Sequence, residues 1–376
     1  MYEKTLTLAS TLLVAICLAA TPQAASSTET SGGTVLAVNP TAEALMGQGR
    51  EQVDAGNYQQ AIDLYKQAAR LDAKNPRIYS GIAYLYAMLE DFQSAAHFYQ
   101  QAAAIEPHNA HFQYALGYSL AQTGDYAGAS VAYRRASLLQ RDNINAHLGL
   151  GVTLLRQENY EEAIRAYQVA IHFDPQNLEA YSSMGLALLR TQRFPEAVDA
   201  LQQAVQLAPN DPNVQLKLAI AWLGTGNIRA ALPAFQRAGE LDPRNGKLQF
   251  EIAELLKAEN DLSGAMAAYL RAAAVEPDLV EAQLAVGDIQ LEQRDFLQAI
   301  VTYRRVVELA PKDARAHYKL GLAFKGRERV PEAIAALETA LELYTQRGDR
   351  EGMENARSLL EELAPPKGRN RRDRDR

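Results

Sequence analysis

Residues 178–211 read LEAYSSMGLALLRTQRFPEAVDALQQAVQLAPND, and this stretch decides the architecture because it returns along the chain at a fixed interval. Its Ala197 belongs to a series of nine alanines spaced 34 residues apart: Ala61, Ala95, Ala129, Ala163, Ala197, Ala231, Ala265, Ala299 and Ala333. A constant period with no insertion implies one small structural unit copied nine times, each unit burying its apolar face against the next. The chain reads as an array, with no separate globular core around a cleft.

Other ladders keep the same register. Four places after each alanine stands a ring or a leucine: Tyr65, Tyr99, Tyr133, Tyr167, Leu201, Phe235, Tyr269, Tyr303 and Leu337. Three places further on is a second small-residue ladder, Ala68 through Ala272 and then Ala340, broken once by Val306. Offsets of four and seven place all three on one helix face. A Gly or Ala series lies twelve places earlier, from Gly49 through Gly117, Gly151, Gly185 and Gly287 to Gly321, and marks a first helix in each unit. Small residues facing each other let two backbones approach, and the ring fills the wider end. Prolines such as Pro107, Pro175, Pro209 and Pro277 close the units, where a helix cannot continue.

Between the two helices the spacing predicts a short turn, Gly-Asn-Tyr at 56–58 or Gly-Asp-Tyr at 124–126. Its middle residue is a good N-cap in seven copies: Asn57, Asp91, Asp125, Asn159, Asn227, Asp261 and Asp295. Gln60, Glu162 and Gln298 stand three residues beyond such caps, where a side chain can reach back to the cap's own amide. Pro195 and Pro331 fall in the first turn of a second helix, where a missing N–H costs little. Pro233 falls deeper, and a local distortion is expected there.

The unit, with Tyr181-Ser182-Ser183-Met184-Gly185 followed by Ala197, Leu201, Ala204 and Pro209, resembles the tetratricopeptide repeat (TPR) family. The resemblance covers residues 42–347, plus a capping helix over 348–364. It implies an all-α fold, a right-handed α-α superhelix of nine helical hairpins whose first helices line a concave groove. It also implies binding rather than catalysis. Two sub-types of the family are tested by their motifs. Ser80 with Tyr84, and Tyr114 with Tyr118, stand where a carboxylate clamp needs Lys and Asn. Gly81, Ala115, Gly149, Ser183 and Lys217 stand where an asparagine ladder would recur. Neither motif is present.

The net charge is −7, and the tail over 365–376 carries a balance of +4, leaving the body more acidic still. An acidic body argues against nucleic acid along the groove. The tail reads as a solvated, disordered terminus. At the other end, Lys4 precedes an apolar run from Leu6 to Ala20 and then Thr21-Pro22-Gln23-Ala24-Ala25, which reads as a secretory signal over 1–25. A flexible linker follows over 26–41. The expected location is periplasmic or otherwise exported, with an uncleaved membrane anchor as the alternative. Cys17, the single cysteine, falls inside the signal, so the mature chain needs no disulfide.

No phosphate loop, Gly-x-Ser-x-Gly elbow or Cys–His pair is found, and the reading is a protein that is not an enzyme. The six histidines are scattered, and His108 and His111 flank a unit boundary. A hard cation is better sought among oxygens, and Glu251, Glu254 and Asp288 are the candidates on neighbouring first helices. The groove strip is read as Tyr84, Tyr114, Tyr118, Leu148, Val152, Leu186, Leu216, Ile220 and Phe250, with Ser182 among them. An apolar strip of this extent points to a protein or peptide segment as partner. The leading expectation is an exported scaffold assisting assembly of an envelope or membrane complex. Nine copies behind an export signal are similar to periplasmic TPR factors of photosystem II biogenesis. That resemblance implies the D1 precursor as partner and Mn2+ delivery, with no cofactor otherwise required. A metal- or ligand-binding periplasmic protein and a cell-wall or secretion scaffold are the alternatives.

Overall fold

The computed structural model describes residues 41–364; the expected signal peptide, all of the linker but Thr41, and the basic tail lie outside the described residues. The described chain is nineteen α-helices with no strand among them. The first helices of successive units are α1 (Ala42–Asp54), α3 (Pro76–Met88), α5 (Ala110–Gln122), α7 (Ile144–Arg156), α9 (Leu178–Arg190), α11 (Pro212–Gly224), α13 (Gly246–Ala258), α15 (Val280–Glu292) and α17 (Ala314–Gly326). Their partners are α2 (Tyr58–Leu71), α4 (Phe92–Ile105), α6 (Tyr126–Leu139), α8 (Tyr160–Phe173), α10 (Phe194–Leu207), α12 (Ile228–Leu241), α14 (Leu262–Val275), α16 (Phe296–Leu309) and α18 (Val330–Arg347). A last helix, α19 (Arg350–Leu363), packs on α18.

The turn inside each hairpin is set by backbone chemistry. Five of the seven expected caps act through their side chains, as when Asp91 accepts from the Ser94 amide at 3.0 Å. Asn57 and Asn159 make no such bond, and Asn57 donates to Gln52 Oε1 at 2.9 Å. Gln60, Glu162 and Gln298 do not serve the cap amides. Those amides already donate to the first helix: Asn57 to the Gln52 carbonyl, Asn159 to Leu154 and Asp295 to Gln290, at 2.8, 2.9 and 2.8 Å. This six-residue closure places the residue before the cap in the left-handed region. Gly56, Gly124 and Gly226 take that conformation without strain, whereas Glu90, Glu158, Gln192, Asn260, Arg294 and Glu328 hold it as non-glycines with φ of 57–63°.

Helix α12 runs unbroken through Pro233, so the expected distortion does not interrupt it. Pro233 lies on the exposed side, and Arg229, whose carbonyl loses its donor, is itself exposed to solvent. A second set of caps opens the first helices. Asn75, Asn109, Asn143, Asn177, Asp211, Asn245 and Asp313 each accept from a backbone amide of the turn they begin.

The alanine ladder is fully buried, and the ring ladder packs against the glycines. Tyr167 is fully buried, and a Cβ on Gly151 would stand 2.5 Å from its Cε1. Tyr133 sits between Gly117 of its own unit and Gly149 of the next, where a Cβ would come within 2.9 and 2.5 Å of the ring. One ring thus ties three helices, and each such burial stabilises by ~1.5–3 kcal/mol before ordering costs. Helices pack mainly on their chain neighbours. Beyond that, α5 packs on α7, α7 on α9, α9 on α11 and α15 on α17. No pair of second helices is packed comparably among the described residues. Crowding of first helices alone bends the array and puts them on its inner side.

Candidate functional site on the inner wall

The first helices place the strip residues in sequence along this wall, with unequal exposure. Tyr118 and Leu148 are buried, at 6% and 8% exposure, in the core cluster they share with Tyr133 and Ala129 of the second helix α6. Tyr118 meets Phe92 edge-on at 6.0 Å between ring centres. Tyr84, Tyr114, Leu216 and Phe250 are half-buried, their bodies against the core; Tyr114 lies 5.6 Å from Tyr133, and Phe250 5.6 Å from Tyr269. Val152 and Leu186 are half-buried but stand apart from the core clusters, and Ile220 is 42% exposed. Leu223, one helical turn beyond Ile220, is 39% exposed and extends the surface. The accessible strip is therefore centred on Val152, Leu186, Leu216 and Ile220, narrower than the sequence suggests.

Charges on the wall show how enclosed it is. Burial pushes the Tyr114 phenol up to about 12, with smaller contributions from Tyr118 and from Glu179 of α9, two units away. Glu179 is exposed, yet desolvation raises its carboxyl above the usual range, because protein flanks it on several sides of the groove. Lys217 of α11 is half-buried. Its Nζ donates to Ser182 Oγ of α9 at 2.7 Å, and desolvation lowers its pKa against the opposing pull of Asp211. In sequence Lys217 stands only where an asparagine ladder would recur; that Asp211 acts on it without forming an ion pair is visible only once the helices are packed.

Towards the C-terminal end the wall becomes charged and self-paired. Asp288 accepts from Tyr303 Oη at 2.6 Å and pairs with Lys319 at 3.1 Å and with Arg315. Burial would raise its carboxyl, but these partners outweigh that and hold it below the usual Asp range. Glu254 accepts from the Tyr269 hydroxyl, and Glu251 is exposed. Glu251, Glu254 and Asp288 do not form a ligand set, and no group of three His, Cys, Asp or Glu side chains among the described residues is placed to hold a metal ion. Two cations already neutralise Asp288, so the donor set does not fit manganese. Two of the six histidines have structural work. Nε2 of His147 lies 2.9 Å from the Arg141 carbonyl and Nε2 of His317 3.0 Å from that of Pro311, which places the proton on those nitrogens and latches the loops between units.

No helix among the described residues is long and apolar enough to cross a membrane. A TPR repeat profile matches residues 49–90, and the tetratricopeptide repeat profile matches 82–138, 114–178, 148–212, 216–278 and 284–347. A TPR repeat-containing protein of Picosynechococcus sp. is 48% identical over 48 residues, 13% of this chain and 12% of the relative, so the match spans a small part of either. Among solved structures, YrrB, described as a TPR protein with an unusual peptide-binding site, is 19% identical with a TM-score of 0.46, covering 52% of this chain and 97% of its own. The C-terminal part of a TPR repeat-containing protein from Cytophaga hutchinsonii is 16% identical with a TM-score of 0.48, covering 73% and 99%. MamA is 22% identical with a TM-score of 0.43, covering 46% and 94%. With family profiles matching nearly every unit and the hairpins stacked as that period requires, the chain belongs to the tetratricopeptide repeat family.

Proposed function

We propose that this protein is an exported, non-catalytic scaffold that holds a protein segment along the inner wall of its first helices and assists assembly of an envelope or membrane complex. One observation carries the reading: adjoining first helices present Val152, Leu186, Leu216 and Ile220 to solvent on the enclosed side of the array. Apolar side chains in such a place contribute to binding when a partner covers them. Export rests on the apolar run Leu6–Ala20 and the segment after it. Within this role the D1 precursor of photosystem II is the partner the family resemblance suggests. Manganese delivery forms no part of the proposal, since the acidic residues do not fit it.

The experiment is site-specific photo-crosslinking in envelope extract, with the reactive group at Ile220 or, on the opposite face, at Leu297, which is 57% exposed. A discrete protein adduct through position 220 and none through 297 is expected, and mass spectrometry of that adduct names or excludes the D1 precursor. Equal labelling from both positions contradicts the reading.

A further inference from the structure

Lys217 differs from the other lysines of the wall. Lys319 occupies the same place three units later and pairs with Asp288, and Lys325 pairs with Glu362 of α19 at 2.5 Å. Lys217 has the Ser182 hydroxyl and only the longer-range pull of Asp211, and takes part in no ion pair among the described residues. An ammonium carries three donors, so two remain for a guest. A desolvated cation held by one neutral group gains most from a carboxylate, which supplies both the charge and the missing acceptors. Leu216, Ile220 and Leu223 share its helix α11 and Leu186 the helix of its Ser182 partner, all half-buried or exposed.

We infer that the wall across α9 and α11 takes an apolar protein segment bearing one acidic side chain, which pairs with Lys217 while its flanking apolar side chains rest on Leu186, Leu216 and Ile220. The inference rests on the groove reading above and names the chemistry of its partner. The apolar wall continues to either side, to Val152 on α7 and Phe250 on α13. A guest there passes through, so the carboxylate belongs to a side chain within the segment and not to a chain end.

A random twelve-residue peptide library, displayed without free C-termini, is panned on the full chain. The selected sequences are expected to be apolar around a single Asp or Glu. The tightest one and its acid-to-amide variant are then titrated by fluorescence anisotropy against the wild type, Lys217→Met and Lys217→Arg. Each single loss of charge is expected to weaken binding about tenfold, the two together little more than either, and Lys217→Arg to retain most of the affinity. Lys217→Gln replaces the Met variant if circular dichroism shows that one misfolded. Selected peptides without an acid, binders found only when the library has free C-termini, or losses that multiply independently overturn the inference while leaving the groove reading intact. Binding unaffected by Leu186→Glu with Ile220→Glu, or a library that yields no binder, overturns the groove reading itself.

Discussion

At Gln192 the backbone holds φ at 57° so that the helix before it closes onto the Arg193 amide, which donates to the Leu188 carbonyl at 2.9 Å. A side chain in that region costs roughly 1–2 kcal/mol, part of which glycine returns as chain entropy. Gln192→Gly is therefore expected to stabilise the protein by about 0.5–1 kcal/mol, read as a rise in the urea midpoint; an unchanged or lower midpoint would refute that account of the turn. Asp288 carries a pH dependence with a defined sign. Its folded carboxyl is held below the usual range, so its contribution is complete above about pH 4 and is lost as pH falls through the folded value. Asp288→Asn is expected to be less stable at neutral pH, with the gap closing in acid; a gap that persists to the lowest pH at which the protein stays folded would show that the charge is not what matters. The sequence revealed the small and aromatic ladders at this scale because each position repeats. It did not reveal the partners of Asp288, since Lys319 and Arg315 stand 31 and 27 residues away and no periodicity announces a pair.

A hairpin is the smallest element with a packing identity, and its tolerance is set where the two helices touch. Ala163 is fully buried on α8, so Ala163→Leu overfills one hairpin at a cost of roughly 1–3 kcal/mol. Because units contact mainly their neighbours, loosening should appear first in α7 to α10 and last at the ends. Hydrogen exchange that rises uniformly along the chain would contradict this. Gly149→Ala tests the link between units, where the new Cβ would press on the Tyr133 ring. A loss of about 1–3 kcal/mol is expected, and a neutral effect in thermal unfolding would show that the ring does not tie the units. The all-α hairpin array was legible in sequence because size alternation at fixed offsets admits one packing. The capping-box residues misled for a physical reason: the amides they were expected to serve are taken by the preceding helix, a partner that local spacing does not show.

For the whole molecule, curvature sets which side of the array is enclosed. From α5 to α11, and again between α15 and α17, first helices pack on one another, and no pair of second helices does so comparably among the described residues, so the first helices form an inner wall. Sequence ladders locate the residues of that wall, but its exposure depends on how tightly the array bends. Tyr118 and Leu148 turn into the core between units, while Ile220 remains open. Export and the identity of the partner belong to the proposal, and the wall is where it is decided. The most direct test is hydrogen–deuterium exchange on the full chain with and without the tightest library-selected peptide. Slowed exchange confined to α7, α9 and α11, with α6, α8 and α10 unchanged, is the result this account predicts. Protection on the second helices, or none on the first, would contradict it.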